Sequence, residues 1–211
     1  MGLRLARELD TIEIRVLGTL LEKQQSTPEA YPLTLNALVY ACNQKSNREP
    51  VTELSEDEVL GALERLREHV LVWKIGGTRT EKWEQNLDAK LGLAAPARAI
   101  LTLLFLRGPQ TPGELRSRSD RLHPFASIEE VESGLSALRG GLDPLVMEMP
   151  RRAGQKENRW AHRLGGPPSE DVRPERSTPA ESLSGRLERL EGLVAALTVE
   201  LSELKRRLGE G

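Results

Sequence analysis

Apolar positions recur at three- and four-residue spacing from the start of the chain; the first run is Ile12, Val16, Leu17, Leu20 and Leu21. That spacing is one face of an amphipathic helix. Asp10 or Thr11 just ahead of it supplies the side-chain oxygen that a helix N-terminus wants. Gln25-Ser26-Thr27-Pro28 breaks the pattern. A second helix is predicted after Tyr31-Pro32, with proline at its first position and Leu35, Leu38, Val39 and Cys42 as its stripe. The polar run Asn43 to Pro50 cannot extend that stripe and reads as a loop. Ser55 with Glu58 three residues later makes a capping box for a third helix faced by Val59, Leu63 and Leu66. Val70 to Ile75 is rich in β-formers, Gly76-Gly77 is a turn and Thr80 to Trp83 a return strand, so a hairpin is expected.

The plan then repeats. Pro96 opens a helix carrying Ile100, Leu101, Leu104 and Leu106, and Gly108-Pro109 ends it. Thr111 with Glu114, and Ser127 with Glu130, are two further capping boxes, the first with Pro112 at the first helical position. Ile128, Val131, Leu135 and Leu138 face the third helix of this set. A second hairpin runs from Leu145 to Met149, through the loop Pro150 to Glu157, and back over Arg159 to Leu164. Helix–helix–helix–hairpin is the order of a winged helix, a three-helix core covered by a β-hairpin. The fold class expected is therefore mainly α with small β-hairpins (α+β), as two tandem winged-helix domains at 9–92 and 93–165. Trp73, Trp83 and Trp160 are expected to cover the inner faces of the hairpins.

The carboxyl-terminal part changes character. Residues 166–181 are rich in Pro, Gly, Ser and charge and read as a flexible linker. Over 182–209, Leu183, Leu187, Leu190, Val194, Leu197, Leu201, Leu204 and Leu208 alternate spacings of four and three, a heptad seam. In a parallel pair, Arg186 would meet Glu191 and Glu200 would meet Lys205, both attractive. A homodimer through a coiled-coil helix is the expectation, with docking of that helix on a winged domain as the alternative.

The stretch LGTLLEKQQSTPEAYPLTLNALVYACNQKSNREPV, from Leu17 to Val51, resembles the YceH-like family of bacterial proteins of unassigned function. The resemblance resumes in LRGPQTPGELRSRSDRLHPF (106–125), in VESGLSAL (131–138) and from Pro150 through Gly154 and Glu157 to His162, and covers about residues 9–165. It implies a tandem winged-helix fold and no particular activity. Trp83 and Trp160 stand where that family suggests a smaller aromatic, and the tail lies outside its pattern.

Composition narrows the function classes. The 211 residues carry 30 Lys+Arg against 32 Asp+Glu, with 38% hydrophobic residues and one cysteine. No apolar run approaches the roughly 20 residues of a membrane span, and the amino end lacks a secretory h-region. A lone cysteine fits a reducing compartment, so a cytoplasmic location is expected. His69, His123, His162 and Cys42 show no ligand spacing, so neither metal nor cofactor is expected. No nucleophile–base pair or phosphate loop is apparent, and no enzyme is expected. Cys42 reads as a core residue, and His162 as facing solvent or topping the core.

Charge is uneven: residues 1–92 sum to −3, residues 93–164 to +3 and residues 165–211 to −2. The cations of the middle segment cluster in its hairpin, at Arg151, Arg152, Lys156, Arg159 and Arg163. Arg139, Arg116 and Arg118 on its helices extend the patch. A guanidinium fork suits phosphate, so these are the candidate DNA contacts. Lys45 and Arg48, in the distinctive loop Asn43 to Arg48, join them, although that loop serves equally well as a set of structural turns. Against DNA stand the third helices, which begin Ser55-Glu56-Asp57-Glu58 and Ser127-Ile128-Glu129-Glu130, carboxylates where base edges are usually read. Two readings follow: a transcriptional regulator holding double-stranded DNA through basic wings, or an adaptor whose winged helices bind a protein partner.

Overall fold

The computed structural model describes residues 7–76, 81–151, 157–166 and 209. By contact pattern the chain divides into Met1–Ser169 and Glu170–Gly211. The second unit, with every leucine and valine of the heptad seam, lies outside the described residues, Gly209 excepted.

The first unit is a mixed α/β fold with two small antiparallel hairpins. Its first half contains α1 (Thr11–Ser26), a single 3-10 turn (Pro28–Ala30), α2 (Leu35–Cys42), α3 (Glu56–Glu68), β1 (Val72–Ile75) and β2 (Lys82–Gln85). A short α4 (Leu87–Leu91) leads to the second half, α5 (Ala95–Arg107), α6 (Pro112–Arg118), α7 (Ile128–Arg139), β3 (Val146–Met149) and β4 (Arg159–His162).

The caps explain where most helices begin. Asp10 accepts from the Glu13 amide while Glu13 reaches back to the Asp10 amide, and Ser55–Glu58 and Thr111–Glu114 do the same. Ser127 makes only half of its box: its hydroxyl accepts from the Glu130 amide, but the Glu130 carboxylate takes the Ala126 amide at 2.8 Å instead. Pro32 is not the first residue of α2. The chain bends at Pro32, and Thr34 caps the helix by accepting from the Ala37 amide. The return strand begins two residues later than the sequence suggested, and α4 was not anticipated.

The two halves repeat one hydrogen-bond plan. Leu33, just before α2, exchanges two backbone bonds with Trp83 of β2, at 3.1 and 2.7 Å. Gln110, just before α6, exchanges two with Trp160 of β4, at 3.0 and 2.7 Å. The carbonyl of Leu71 then accepts from the Asn86 amide, and that of Leu145 from the Arg163 amide, at 2.8 and 2.9 Å. Each hairpin is thereby tied to its own three helices at corresponding points.

One continuous core serves both halves. Leu17, Leu20, Leu21, Leu38, Val59, Leu63 and Leu66 fill the first, and Ile100, Leu101, Leu104, Leu115, Val131 and Leu135 the second. α1 and α5 pack on each other, so α5 is buried around almost its whole circumference, including Thr102, Leu103 and Phe105. The tryptophans separate: Trp83 is 1% exposed and belongs to the core, whereas Trp73 is 45% exposed on the outer side of its hairpin. Ile128, expected on the inner face of α7, is also exposed.

Candidate functional site

The described cations singled out for phosphate contact differ in burial and in the partners they hold. Arg48 is 5% exposed, and its guanidinium grips Glu22 at 2.5 and 3.0 Å while donating to the Ala41 carbonyl at the end of α2. It is a corrected candidate: a buried guanidinium needs a carboxylate and carbonyls, and this one has both. The rest of its loop is built for closure as well. Asn43 donates to the Leu54 carbonyl and accepts from the Leu54 amide, both at 2.8 Å, and Thr52 donates to the Cys42 carbonyl. Within Asn43–Arg48, Lys45, Ser46 and Asn47 face solvent.

In the second half a single carboxylate organises two candidates. Glu114 of α6 lies 3.5 Å from Arg118 and 3.1 Å from Arg159, drawing the hairpin onto the helix. Arg118 also donates to the buried Gln110 side chain at 2.7 Å, and Arg159 to the Pro109 carbonyl at 2.8 Å. These two are likewise used inside the fold. Arg139 is exposed and spreads over the Trp160 ring, 3.4 Å from Glu148. Arg116 is exposed with one bond to the Ala126 carbonyl, and Arg151 and Arg163 are exposed on the hairpin. Arg152 and Lys156 lie outside the described residues.

Third-helix carboxylates divide into two sets. Hydrogen bonds from Ser55 hold Glu58 below the usual carboxylate range, and bonds from the Ala126 amide and His123 do so for Glu130. Those acids serve their helix ends. Glu53, Glu56 and Asp57, at the start of α3, stand exposed. In the first half, then, the N-terminal end of α3 is negative.

Other candidate chemistry is inward-facing. Cys42 is fully buried against Thr19, and burial pushes its thiol up, opposite to what a nucleophile needs. His162 packs edge-on against Phe105, and burial takes its imidazole down to about 4. Among the described residues no group of three or more His, Cys, Asp or Glu is placed to hold a metal ion, and no helix is long and apolar enough to cross a membrane. Sequence reasoning passed over Arg15 and Arg107. Arg15 is 5% exposed on the packed face of α1, and Arg107 lies at the junction of the halves. Their signal was a cation flanked by apolar residues, Ile14 and Val16 around Arg15 and the run Ala99–Leu106 ahead of Arg107.

A family profile described as "Protein of unknown function, DUF480" matches residues 9–155. The chain belongs to this family. It is 44% identical over 214 aligned positions to a UPF0502 protein of Acidovorax sp. (strain JS42), covering 96% of this chain and 95% of that one. A UPF0502 protein of Geobacter sulfurreducens is 45% identical over 93% of this chain and 90% of its own. One of Methylibium petroleiphilum is 49% identical over 79% and 71%. The DUF480 match spans every element from α1 to β3, so the Glu22–Arg48 clasp and the Glu114–Arg118 pair lie inside it, while Arg159 lies beyond its end.

Proposed function

We propose that this chain is a tandem winged-helix protein whose primary task is to bind another protein, with an acidic α3 face as the docking surface. Support for the winged helices comes from the paired bridges Leu33–Trp83 and Gln110–Trp160, which join the segment before each second helix to the return strand of its hairpin. The observation that carries the functional reading is the fate of the guanidiniums. Arg48, Arg118 and Arg159 are engaged by Glu22 and Glu114 within the fold, while Glu53, Glu56 and Asp57 stand exposed. Such a surface repels phosphate and attracts a basic segment of a partner. The heptad seam from Leu183 to Leu208 in the sequence supports self-association, which would present two such faces at once.

Charge reversal tests the reading. Retention of a binding protein from a lysate of the source cell should be lost when Glu53, Glu56 and Asp57 are changed together to Lys, and kept when Arg116 and Arg163 are changed to Ala. A second reading, DNA binding by the second half, draws on the exposed Arg116, Arg151 and Arg163. Titration with random duplex DNA decides between them. Binding that weakens with a log–log salt slope of roughly −3 and disappears in the Arg116→Ala/Arg163→Ala variant would favour the nucleic-acid reading.

A further inference from the structure

Arg107, the last residue of α5, occupies an electrostatically awkward position. Its Nη2 donates to the Asn47 side chain at 2.5 Å, but its Nε is shielded from solvent and has no partner. Among the described residues no carboxylate oxygen makes an ion pair with it. Charges of both signs act on it. Asn47 precedes Arg48 in the chain, and Arg118 is held near by Gln110, whose amide donates to the Leu103 and Gly108 carbonyls around the end of α5. Both guanidiniums act on Arg107 to disfavour its charge, after burial itself, and Glu49 and Glu22 oppose them.

Two of the three local carboxylates are already shared, Glu49 being the third. Glu22 serves Arg48 and lies 3.8 Å from Lys23, and Glu114 serves Arg118 and Arg159. Behind the same loop, Arg15 is buried with one Nη on the Pro50 carbonyl and the other without a partner. Four guanidiniums, Arg15, Arg48, Arg107 and Arg118, gathered at one seam with fewer acids cost free energy unless an anion joins them.

We propose that the seam formed by Arg107, Arg118 and the loop Asn47–Glu49 is a binding site for a free phosphate-type oxyanion. Arg107 is only partly buried, so rotation of its terminal torsions turns the unpartnered Nε edge outward, where it and one Nη donate to two oxygens of the ion. Arg118 supplies the second cation. Because the loop belongs to the first half and both arginines to the second, the ion fastens the halves together where the Glu49 amide already meets the Leu106 carbonyl at 2.8 Å. The site is independent of the acidic α3 face, so it stands or falls without the partner-binding reading.

Thermal unfolding of the full chain with inorganic phosphate as the probe, chloride adjusted to hold ionic strength constant, tests this. The midpoint should rise with phosphate and saturate, as for a ligand that binds only the folded state. Arg107→Gln should abolish the rise, Arg118→Gln should weaken apparent affinity about tenfold, and Arg163→Gln should leave it unchanged. Without phosphate, Arg107→Gln should unfold at or above the wild-type midpoint, since a repelled charge has gone; a purely structural arginine would give a drop. A rise that chloride matches, that persists in both Arg107→Gln and Arg118→Gln, or that is absent from wild type overturns the proposal. So does an Arg107-dependent rise with a short DNA duplex but none with phosphate, which would place the nucleic-acid backbone in the seam.

Discussion

Gly18 of α1 lies so close to Phe105 of α5 that a Cβ on the glycine would stand 2.8 Å from the Phe105 Cβ, with Leu106 side-chain atoms at 3.0 and 3.1 Å. The two halves therefore share their core through a contact that only a residue without a side chain permits. Gly18→Ala should destabilise the fold by about 1–3 kcal/mol, because the Phe105 Cβ is anchored to the helix and cannot swing away. Gly134→Ala is the comparison. Its new Cβ would meet the Cδ1 of Ile100 at 2.6 Å, a flexible tip that can rotate, so its cost should be smaller. Urea denaturation midpoints of the two variants check the order.

The Arg48–Glu22 clasp should be a stability element. Arg48→Ala leaves Glu22 mostly buried without its partner and frees the Ala41 carbonyl, so a loss of about 3–5 kcal/mol is expected. Lys45→Ala, three residues earlier and exposed, should change stability by less than about 0.5 kcal/mol. Chemical denaturation of both variants separates a structural loop from a ligand-gripping one.

Trp83 and Trp73, on paired strands of one hairpin, should respond oppositely. Trp83→Ala removes a side chain that fills the core beneath β2 and should cost about 3–5 kcal/mol. Trp73→Ala should be close to neutral, since its ring lies on the outer side. Calorimetric midpoints provide the measurement.

His162 should make stability depend on pH in the mildly acidic range. Its pKa falls from 6.5 to about 4 on folding because burial disfavours the imidazolium, so the unfolded chain binds the proton first. The folded state is therefore unpenalised above pH 6.5 and loses stability as pH falls from 6.5 towards 4. The full loss is up to about 3 kcal/mol. His162→Gln should flatten this part of the profile. The difference between the wild-type and variant denaturation curves from pH 7.5 to 5 isolates the residue from titrating carboxylates; a difference that stays constant with pH contradicts the assignment.

Much of the architecture was legible along the chain because its determinants are local. A capping box needs four consecutive residues, and Ser55–Glu58 and Thr111–Glu114 start their helices as that pattern requires, Ser127–Glu130 by half of it. The apolar stripes of α1 and α3 mark residues that are indeed buried, Ile12 being only partly so, and the order of helices and hairpins repeats as read. Charge pairing is different in kind, since a guanidinium's role depends on which carboxylate arrives from elsewhere. Glu22 lies 26 positions from Arg48 and Glu114 lies 45 from Arg159. Only the closed structure decided which carboxylates these arginines meet, that the second face of α1 carrying Gly18 is covered by α5, and that Arg107 lies within reach of Arg118 and Glu49. Hydrophobic periodicity specifies that a helix has an inside; how many sides become inside, and which charges meet there, is settled by packing across the whole chain.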